Sequence, residues 1–333
     1  MTDRHAAAGA RGTLRLGVIG TFVWDTIYGR GITAAPVEEW GGVTYALGGL
    51  DAALPANWEI VPIMKVGSDL SARARDFLTE LRRLAPDAAL IEVPYPNNRV
   101  ELRYETSERR CERLTGAIPG WSWLGLKPLL AELDALYINF LSGFELDLET
   151  AQLIRQHFRG PIYCDLHMLV MAVQPSGLRA LRPLPDAAEW CRCFDLLQVN
   201  EDECSAMAPD PMGLAATALA AGVQCLVVTL GSRGAVYFAA PGFDRLDRSA
   251  VRPALAGAAG PVRTARVTAE PVAVEGDPTG CGDVWGATYF SRLLAGDTLD
   301  DAMRAAHRAA ARNLAHRGAT GLSRHLRGEL SLR

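Results

Sequence analysis

Short apolar runs alternate with segments of helical periodicity along most of this chain, and few architectures accept that order. Leu14–Gly20 reads as a first strand and Glu59–Val66 (EIVPIMKV) as another. Behind the second, Ala74, Phe77, Leu78, Leu81 and Leu84 recur at helical spacing. The scheme then repeats. Leu126–Leu133 reads as a helix before the strand Leu136–Phe140, and Leu148–Phe158 as a helix before Pro161–Asp165. Pro185–Cys193 precedes Leu196–Asn200 in the same way, and Pro211–Ala221 precedes Cys225–Leu230. This alternation predicts an α/β fold with a central, mostly parallel sheet and helices on both faces. A chain of 333 residues, 49% of them hydrophobic, has the material to bury such a sheet.

The strands end on polar residues. Asn139, Asp165, Asn200 and Thr229 lie at or beside the carboxyl ends of four predicted strands. Open parallel sheets bind ligands just beyond those ends, so the four residues sketch a cleft. Thr26–Tyr45 and Asn97–Pro119 lack long helical periodicity, and Arg99–Thr106 (RVELRYET) alternates apolar with charged residues. The two segments are expected to pair into a small projecting sheet, with Glu101 and Arg103 on one face and Leu102 and Tyr104 on the other. Pro241–Val262, rich in Ala, Gly and Pro, reads as a surface loop between weak strands.

Composition narrows the function classes. A net charge of −4 argues against a general nucleic-acid binder. No stretch approaches the length of a membrane span, and the first 13 residues lack the apolar core of a secretory signal and read as a flexible tail. The seven cysteines are scattered without a CxxC pair, which suits a reduced, cytoplasmic protein. Lys65 and Lys127 are the sole lysines, so a lysine-dependent mechanism has two candidates. There is no P-loop, no protein-kinase catalytic loop and no complete dinucleotide fingerprint. Asp165-Leu166-His167 lacks a third ligand at metal-site spacing, which leaves His167 as a candidate substrate contact.

The strongest local signal is GDPTGCGDVWG, Gly276–Gly286. A strand-like run, Pro271–Val274, precedes it. A helix follows, with Val284, Ala287, Phe290 and Leu294 on one face and Gly296 as its C-terminal stop. A glycine-rich turn feeding a helix N-terminus exposes N–H groups and adds the positive end of the helix dipole. Gly280 and Gly282 let backbone approach a ligand closely, which makes an anion hole for a transferring phosphoryl group. Asp283, at the start of that helix, is placed to accept the proton of an attacking hydroxyl. Cys281 within the turn is a candidate reactive thiol, its pKa lowered by the helix N-terminus.

These residues resemble a known family. GDPTGCGD is similar to the C-terminal signature D-T-x-G-A-G-D of the ribokinase (PfkB) family of carbohydrate kinases. Asn200-x-x-Glu203 resembles the family's N-x-x-E element, Leu226–Phe238 its nucleotide-side strand and turn, and LGVIGTFVWDTI with Asp25 its first strand. The matches run in family order between about residues 14 and 321. The resemblance implies a ribokinase-like kinase domain over 14–325, with a small β lid formed by about 26–45 and 97–119. It implies Asp283 as catalytic base, and Gly280, Cys281 and Gly282 as the anion hole. ATP would lie along Asn200, Thr229 and Gly231, with Asn313 facing the adenine pocket. Glu203 would help hold Mg²⁺ through water, while Asp277 and Thr279 would line a site for a monovalent cation such as K⁺. Asp25, Gly41, Gly42 and Tyr45 would meet the substrate.

The chain departs from the family at informative places. The N-terminal signature has two glycines followed by a sugar-binding Asn, whereas Gly41 and Gly42 here precede Thr44 and Tyr45. In the GxDxxG element Gly67 and Asp69 stand, but Ala72 holds the last position. Arg99, Arg103, Tyr104, Arg109, Arg110 and Arg113 crowd the lid, where an arginine inside the cleft could bind a substrate carboxylate or phosphate. The expected activity is ATP- and Mg²⁺-dependent phosphorylation of a hydroxyl on a sugar, polyol or nucleoside-like molecule, with no nucleic-acid or membrane partner. Lid pairing into a homodimer is compatible with the resemblance. The alternatives are a nucleoside kinase of the same fold, with Tyr45 or Trp24 stacking on a base, and a non-catalytic ligand sensor.

Overall fold

A computed structural model describes residues 12–28, 36–104, 110–116, 118–246, 260–271 and 276–329, without the side chains of Tyr104 and Arg110. Sixteen strands are present among the described residues. The first eight are β1 (Leu14–Ile19), β2 (Phe22–Tyr28), β3 (Val37–Gly42), β4 (Trp58–Ile63), β5 (Lys65–Gly67), β6 (Ile91–Val93), β7 (Asn98–Tyr104) and β8 (Arg110–Thr115). Then come β9 (Ala135–Asn139), β10 (Ile162–Asp165), β11 (Met171–Val173), β12 (Arg179–Leu181), β13 (Leu196–Asn200), β14 (Cys225–Thr229), β15 (Ala235–Ala239) and β16 (Arg263–Val267).

Eight of them form the central sheet, in the order β16-β15-β14-β13-β10-β9-β1-β4. The six from β14 to β4 run parallel, and β15 and β16 add antiparallel at one edge. The sequence explains the burial of both faces. Along β9, Leu136 and Ile138 face one apolar cluster while Ala135 and Tyr137 face the other. The first cluster includes Ile154, Trp190 and Leu214 from helices on its side. The second gathers residues of α1 (Val43–Ala53), α6 (Cys281–Leu294) and α7 (Leu299–Asn313), including Leu47, Phe290 and Met303. Between them in chain order lie α2 (Ser71–Thr79), α3 (Leu148–His157), α4 (Glu201–Met207) and α5 (Pro211–Ala220).

Several sequence expectations change. Glu59–Val66 is two strands rather than one, because the chain leaves the main sheet at Met64 and pairs again with β6. Leu126–Leu133 is not a helix: four residues, Trp123–Leu126, form a single turn, and irregular turns follow. Burial of Leu126 and Leu130 against the sheet holds that segment without helical bonding throughout. Of the strand-like run Pro271–Val274, residues 272–274 lie outside the described residues, as do 247–259 of the predicted Pro241–Val262 loop and residues 1–11 of the tail. The helices at Leu148, Pro211 and Cys281 occur where their periodicity placed them.

A second sheet, ordered β3-β2-β7-β8, stands apart from the first. It begins at Phe22, and its first segment ends at Gly42, where α1 starts, so Tyr45 belongs to that helix. Alternation divides its faces. Val23, Val100 and Leu102 make a small apolar cluster on one, while Trp24 and Trp40 pack edge to face at 5.0 Å on the other. A feature absent from the sequence expectations is the hairpin β11–β12. Its turn reaches the second sheet: Leu114 N–H donates to Gly177 O at 2.9 Å, and Arg113 Nε to Ser176 O at 2.9 Å. The hairpin thus straps the main body to the edge of the small sheet. No helix among the described residues is long and apolar enough to cross a membrane.

Candidate active site

Parallel register sets the floor of the site. Asp165 lies beside Asn139 on one neighbour and Gln198 on the other, and Asn200 lies beside Thr229. The carboxyl ends of four strands thus present a row of polar groups, as the sequence indicated. α6 starts directly over this row. The Asn139 amide donates to Asp283 Oδ1 at 2.6 Å. Gln198 Nε2 donates to Asp165 Oδ2 at 2.9 Å and to Gly282 O at 3.3 Å, and Tyr163 donates its hydroxyl to Gln198 Oε1 at 2.6 Å. Stacked rings continue the support, with Tyr137 on Tyr163 at 4.8 Å and Tyr163 on Phe290 at 5.3 Å. The helix carrying Asp283 is therefore fixed to the sheet by both hydrogen bonds and aromatic packing.

The glycine turn is equally constrained. Gly280 caps α6 with φ of 74°, a left-handed conformation that favours glycine. A Cβ there would also collide with the ring of Tyr45. Gly282, by contrast, faces open space. The first N–H groups of a helix lack intrahelical partners and point outward. The Cys281 N–H, expected in the anion hole, instead donates to Pro278 O at 3.1 Å. Gly282 and Asp283 carry the next N–H groups of the helix start. Beneath it, Asn313 is fully buried: its amide donates to Thr279 O at 2.9 Å and contacts Cys281 Sγ at 3.4 Å. The residue expected to face an adenine pocket thus braces the turn from below. Burial pushes the Cys281 thiol up to about 11, which reverses the expectation of a lowered, reactive thiol.

Opposite α6, Asp25 projects from β2 and is 6% exposed. Gly41 is required there, because a Cβ would collide with the Asp25 carboxylate. Gly42 starts α1 at φ of 62°. Thr44 occupies the region of the expected sugar-binding Asn, and its hydroxyl turns back to Gly41 O at 2.8 Å. Asp25, Gly42, Tyr45, Thr279, Gly280 and Asp283 all line one cleft of about 450 Å³, counted to its open mouth. Lys65 lies elsewhere, bonded to Pro119 O and Gly120 O.

The elements expected to meet a nucleotide approach this cleft through His167. Its Nδ1 lies 2.9 Å from Glu203 Oε1. Glu203 is 4% exposed and already occupied: Oε2 accepts from Asn200 N–H at 2.8 Å, and Oε1 from the Asn200 amide at 2.6 Å. Asn200 accepts in return from Glu203 N–H, completing a capping box at the start of α4. Burial opposes charge on His167, but the bond to Glu203 and the nearby carboxylates outweigh it and push its pKa up to about 9. Burial lifts Asp165 well above the usual carboxylate range, with His167 opposing and Glu203 and Asp283 adding to the rise. Thr229 Oγ1 contacts Val199 O at 3.4 Å, and Gly231 is exposed with open space around it.

These residues do not make a protein cage for a metal. Among the described residues no group of three or more His, Cys, Asp or Glu side chains could hold one, and Glu203 is spoken for by Asn200 and His167. Magnesium usually arrives with phosphates and keeps much of its water, so its fit here would depend on the nucleotide rather than on Glu203 as a direct ligand. Asp277 and Thr279 are likewise bonded to each other: Asp277 Oδ1 accepts from Thr279 N–H at 3.0 Å and from its hydroxyl at 2.7 Å. That turn is closed on itself and is no evidence for a monovalent-cation site.

Of the arginines in the expected lid, the described side chains of Arg99, Arg103 and Arg113 do not line the cleft. Arg99 pairs with Asp69 at 2.8 Å, Arg103 covers the Tyr28 ring at 3.8 Å, and Arg113 is bound to the strap. Arg109 and the side chains of Tyr104 and Arg110 lie outside the description. Gly67 and Asp69 hold the start of β7 instead: Gly67 N–H donates to Asn97 Oδ1 at 3.1 Å and Asn97 N–H donates to Asp69 Oδ1 at 2.8 Å. Sequence reasoning missed Glu112 and Arg179, which line the cleft and pair at 3.3 Å. It placed Asn139 at the cleft by its position at a strand end, but did not pair it with Asp283.

Comparison with known proteins places this geometry. Residues 167–325 match the family model described as pfkB family carbohydrate kinase. No curated protein sequence matches the chain. Solved structures share the fold at low identity. A pyrophosphate-dependent kinase in the ribokinase family, complexed with a pyrophosphate analog and myo-inositol, has 16% identity and a TM-score of 0.69, covering 92% of this chain and 97% of its own. A Burkholderia thailandensis nucleoside kinase in complex with inosine has 16% identity and a TM-score of 0.65, covering 93% and 94%. Thermotoga maritima ribokinase has 16% identity and a TM-score of 0.63, covering 95% and 99%.

Proposed function

We propose that this chain, whose residues 167–325 match the family model of pfkB carbohydrate kinases, transfers the terminal phosphoryl group of ATP, with Mg²⁺, to a hydroxyl of a sugar or polyol. One observation carries the reading: Asp283 sits on the first turn of α6, fixed by Asn139 at 2.6 Å, in the same cleft as Asp25. In this reading residues 14–325 act as one kinase domain and the β3-β2-β7-β8 sheet is its lid.

Asp25 accepts a hydrogen bond from an acceptor hydroxyl and orients the molecule. Asp283 takes the proton from the reacting hydroxyl as its oxygen bonds to phosphorus and the bond to the ADP oxygen breaks. The N–H groups of Gly282 and Asp283, with the α6 dipole, stabilise charge on the transferring group. His167, charged below about pH 9, adds a cation beside the same cleft. Asn200, Thr229 and Gly231, at the ends of β13 and β14, would lie along the nucleotide. Bound Mg²⁺ would shield the phosphates. The cleft has an apolar wall of Val23, Val100 and Leu102, and the lid over it would exclude water.

A sugar or polyol is favoured over a nucleoside because neither aromatic candidate offers a free face. Trp24 packs on Trp40 away from the cleft, and the ring of Tyr45 lies against Gly280. A purely ligand-sensing protein would not need Asp283 held at 2.6 Å. The test is ADP formation from MgATP with neutral sugars, polyols, sugar acids and nucleosides. Acceptor-dependent ADP with a phosphate ester as coproduct is the expected result. ATP bound but never consumed with any acceptor would reject the kinase in favour of a sensor.

A further inference from the structure

Two residues from segments far apart in the chain line the cleft as an ion pair. Glu112 comes from lid strand β8 and Arg179 from the strap strand β12. Their carboxylate and guanidinium lie 3.3 Å apart, with side chains 11% and 2% exposed. Arg179 is also tied to the main body, with Nη2 donating to Leu141 O at 2.9 Å and Nη1 to Met168 Sδ at 3.0 Å. Its Nε is buried with no hydrogen-bond partner among the described residues. Both residues line the cleft that holds Asp25 and Asp283.

Resting on the kinase reading above, we infer that Glu112 and Arg179 select the acceptor, and that they select a neutral polyhydroxylated molecule over a sugar acid. The chemistry of the pair points there. Arginine only donates and an ionised glutamate only accepts, so side by side they match a hydroxyl, which does both. The charge balance points the same way. Asp25, Glu112 and Asp283 line the cleft together with Arg179, while its other basic residue among the described ones, His167, is already bonded to Glu203. An acceptor carboxylate would meet three carboxylates and would have to take Arg179 from Glu112. The apolar wall opposite suits the C–H face of a sugar or cyclitol ring.

The experiment compares acceptors on the full chain, using myo-inositol, D-ribose and D-fructose against D-gluconate and D-glucuronate. Each is followed by product formation with MgATP and by calorimetric binding. Wild type, Glu112→Gln and Arg179→Lys are compared; the isosteric Glu112→Gln keeps the test valid if the arginine variant folds poorly. Wild type is expected to use a neutral acceptor. Glu112→Gln should raise its KM about tenfold or more, leave the KM for ATP unchanged, and improve the acids relative to the neutral compound. Arg179→Lys should also raise the acceptor KM, since lysine lacks the fixed fork. A wild-type preference for an acid, or an unchanged acceptor KM in Glu112→Gln, overturns the inference while leaving the kinase intact. Neutral acceptors bound in a Glu112-dependent way but never phosphorylated would reject the kinase and keep the pair. Binding of none of the neutral acceptors rejects the assignment of their class.

Discussion

The two walls of the cleft are built on opposite plans. The side proposed to hold the phosphoryl group is one contiguous stretch, Gly276–Leu294, in which a turn, a helix start and Asp283 follow one another in sequence. The side proposed to hold the acceptor takes Asp25 from β2, Gly42 from the end of β3, Glu112 from β8 and Arg179, 67 residues after Glu112, from a hairpin. The first wall rests on the sheet through Asn139, Gln198 and stacked rings, so its geometry is set by the core. The second is held by a strap and by single hydrogen bonds between sheets. Chemistry common to many acceptors fits a rigid local element, whereas selectivity fits a surface that separate loops can redraw.

The largest break of this comparison should come from Asp283→Asn. Turnover should fall by roughly two to four orders of magnitude with ATP binding nearly unchanged, read by steady-state rates beside calorimetry. Next come the two glycines of the turn. Gly280→Ala must place a side chain at φ of 74° against the Tyr45 ring, and should lose about 2 kcal/mol or more of stability together with activity. Gly282→Ala enters open space, so thermal unfolding should move little while kcat falls. Equal loss of stability in both would mean that the turn is not positioned as described.

Asn139→Ala should have a smaller effect, about tenfold or more on kcat, since a charge-assisted hydrogen bond contributes about 1.5–3 kcal/mol. An unchanged kcat would remove Asn139 as the positioning group of Asp283. Iodoacetamide at pH 8 should label exposed Cys111 before Cys281, whose thiol is held neutral up to about pH 11. Mass mapping of the labelled peptides reads the order, and prior labelling of Cys281 would contradict its burial. The smallest effect is expected on the outer face of the lid. Arg99→Ala removes an exposed ion pair with Asp69 and should change stability by under about 1 kcal/mol and the acceptor KM not at all.

The same contrast explains what the sequence made legible. The central sheet was readable because β9, β10, β13 and β14 are continuous apolar runs ended by polar residues, and the fold places those ends together. The glycine turn was readable because its parts are adjacent. Arg179 was not, because a three-residue strand after a short 3₁₀ turn leaves no periodicity to detect. The lid arginines misled for a related reason. Alternation assigns a strand residue to a face but not which face meets the cleft, and Leu102 rather than Arg103 lies inward. Leu126–Leu133 misled because spacing alone cannot separate a helix from irregular turns that bury the same leucines. For Asn313 and Cys281 the motif gave the neighbourhood, and only packing gave the direction of the side chain.

The most direct measurement is a rapid-quench single turnover with ³²P-labelled MgATP and a saturating acceptor, run on wild type, Asp283→Asn and Asp25→Asn. The account predicts a phosphate ester in wild type, loss of the transfer step in Asp283→Asn with acceptor affinity kept, and weakened acceptor affinity with ATP affinity kept in Asp25→Asn. Transfer at the wild-type rate in Asp283→Asn would contradict it.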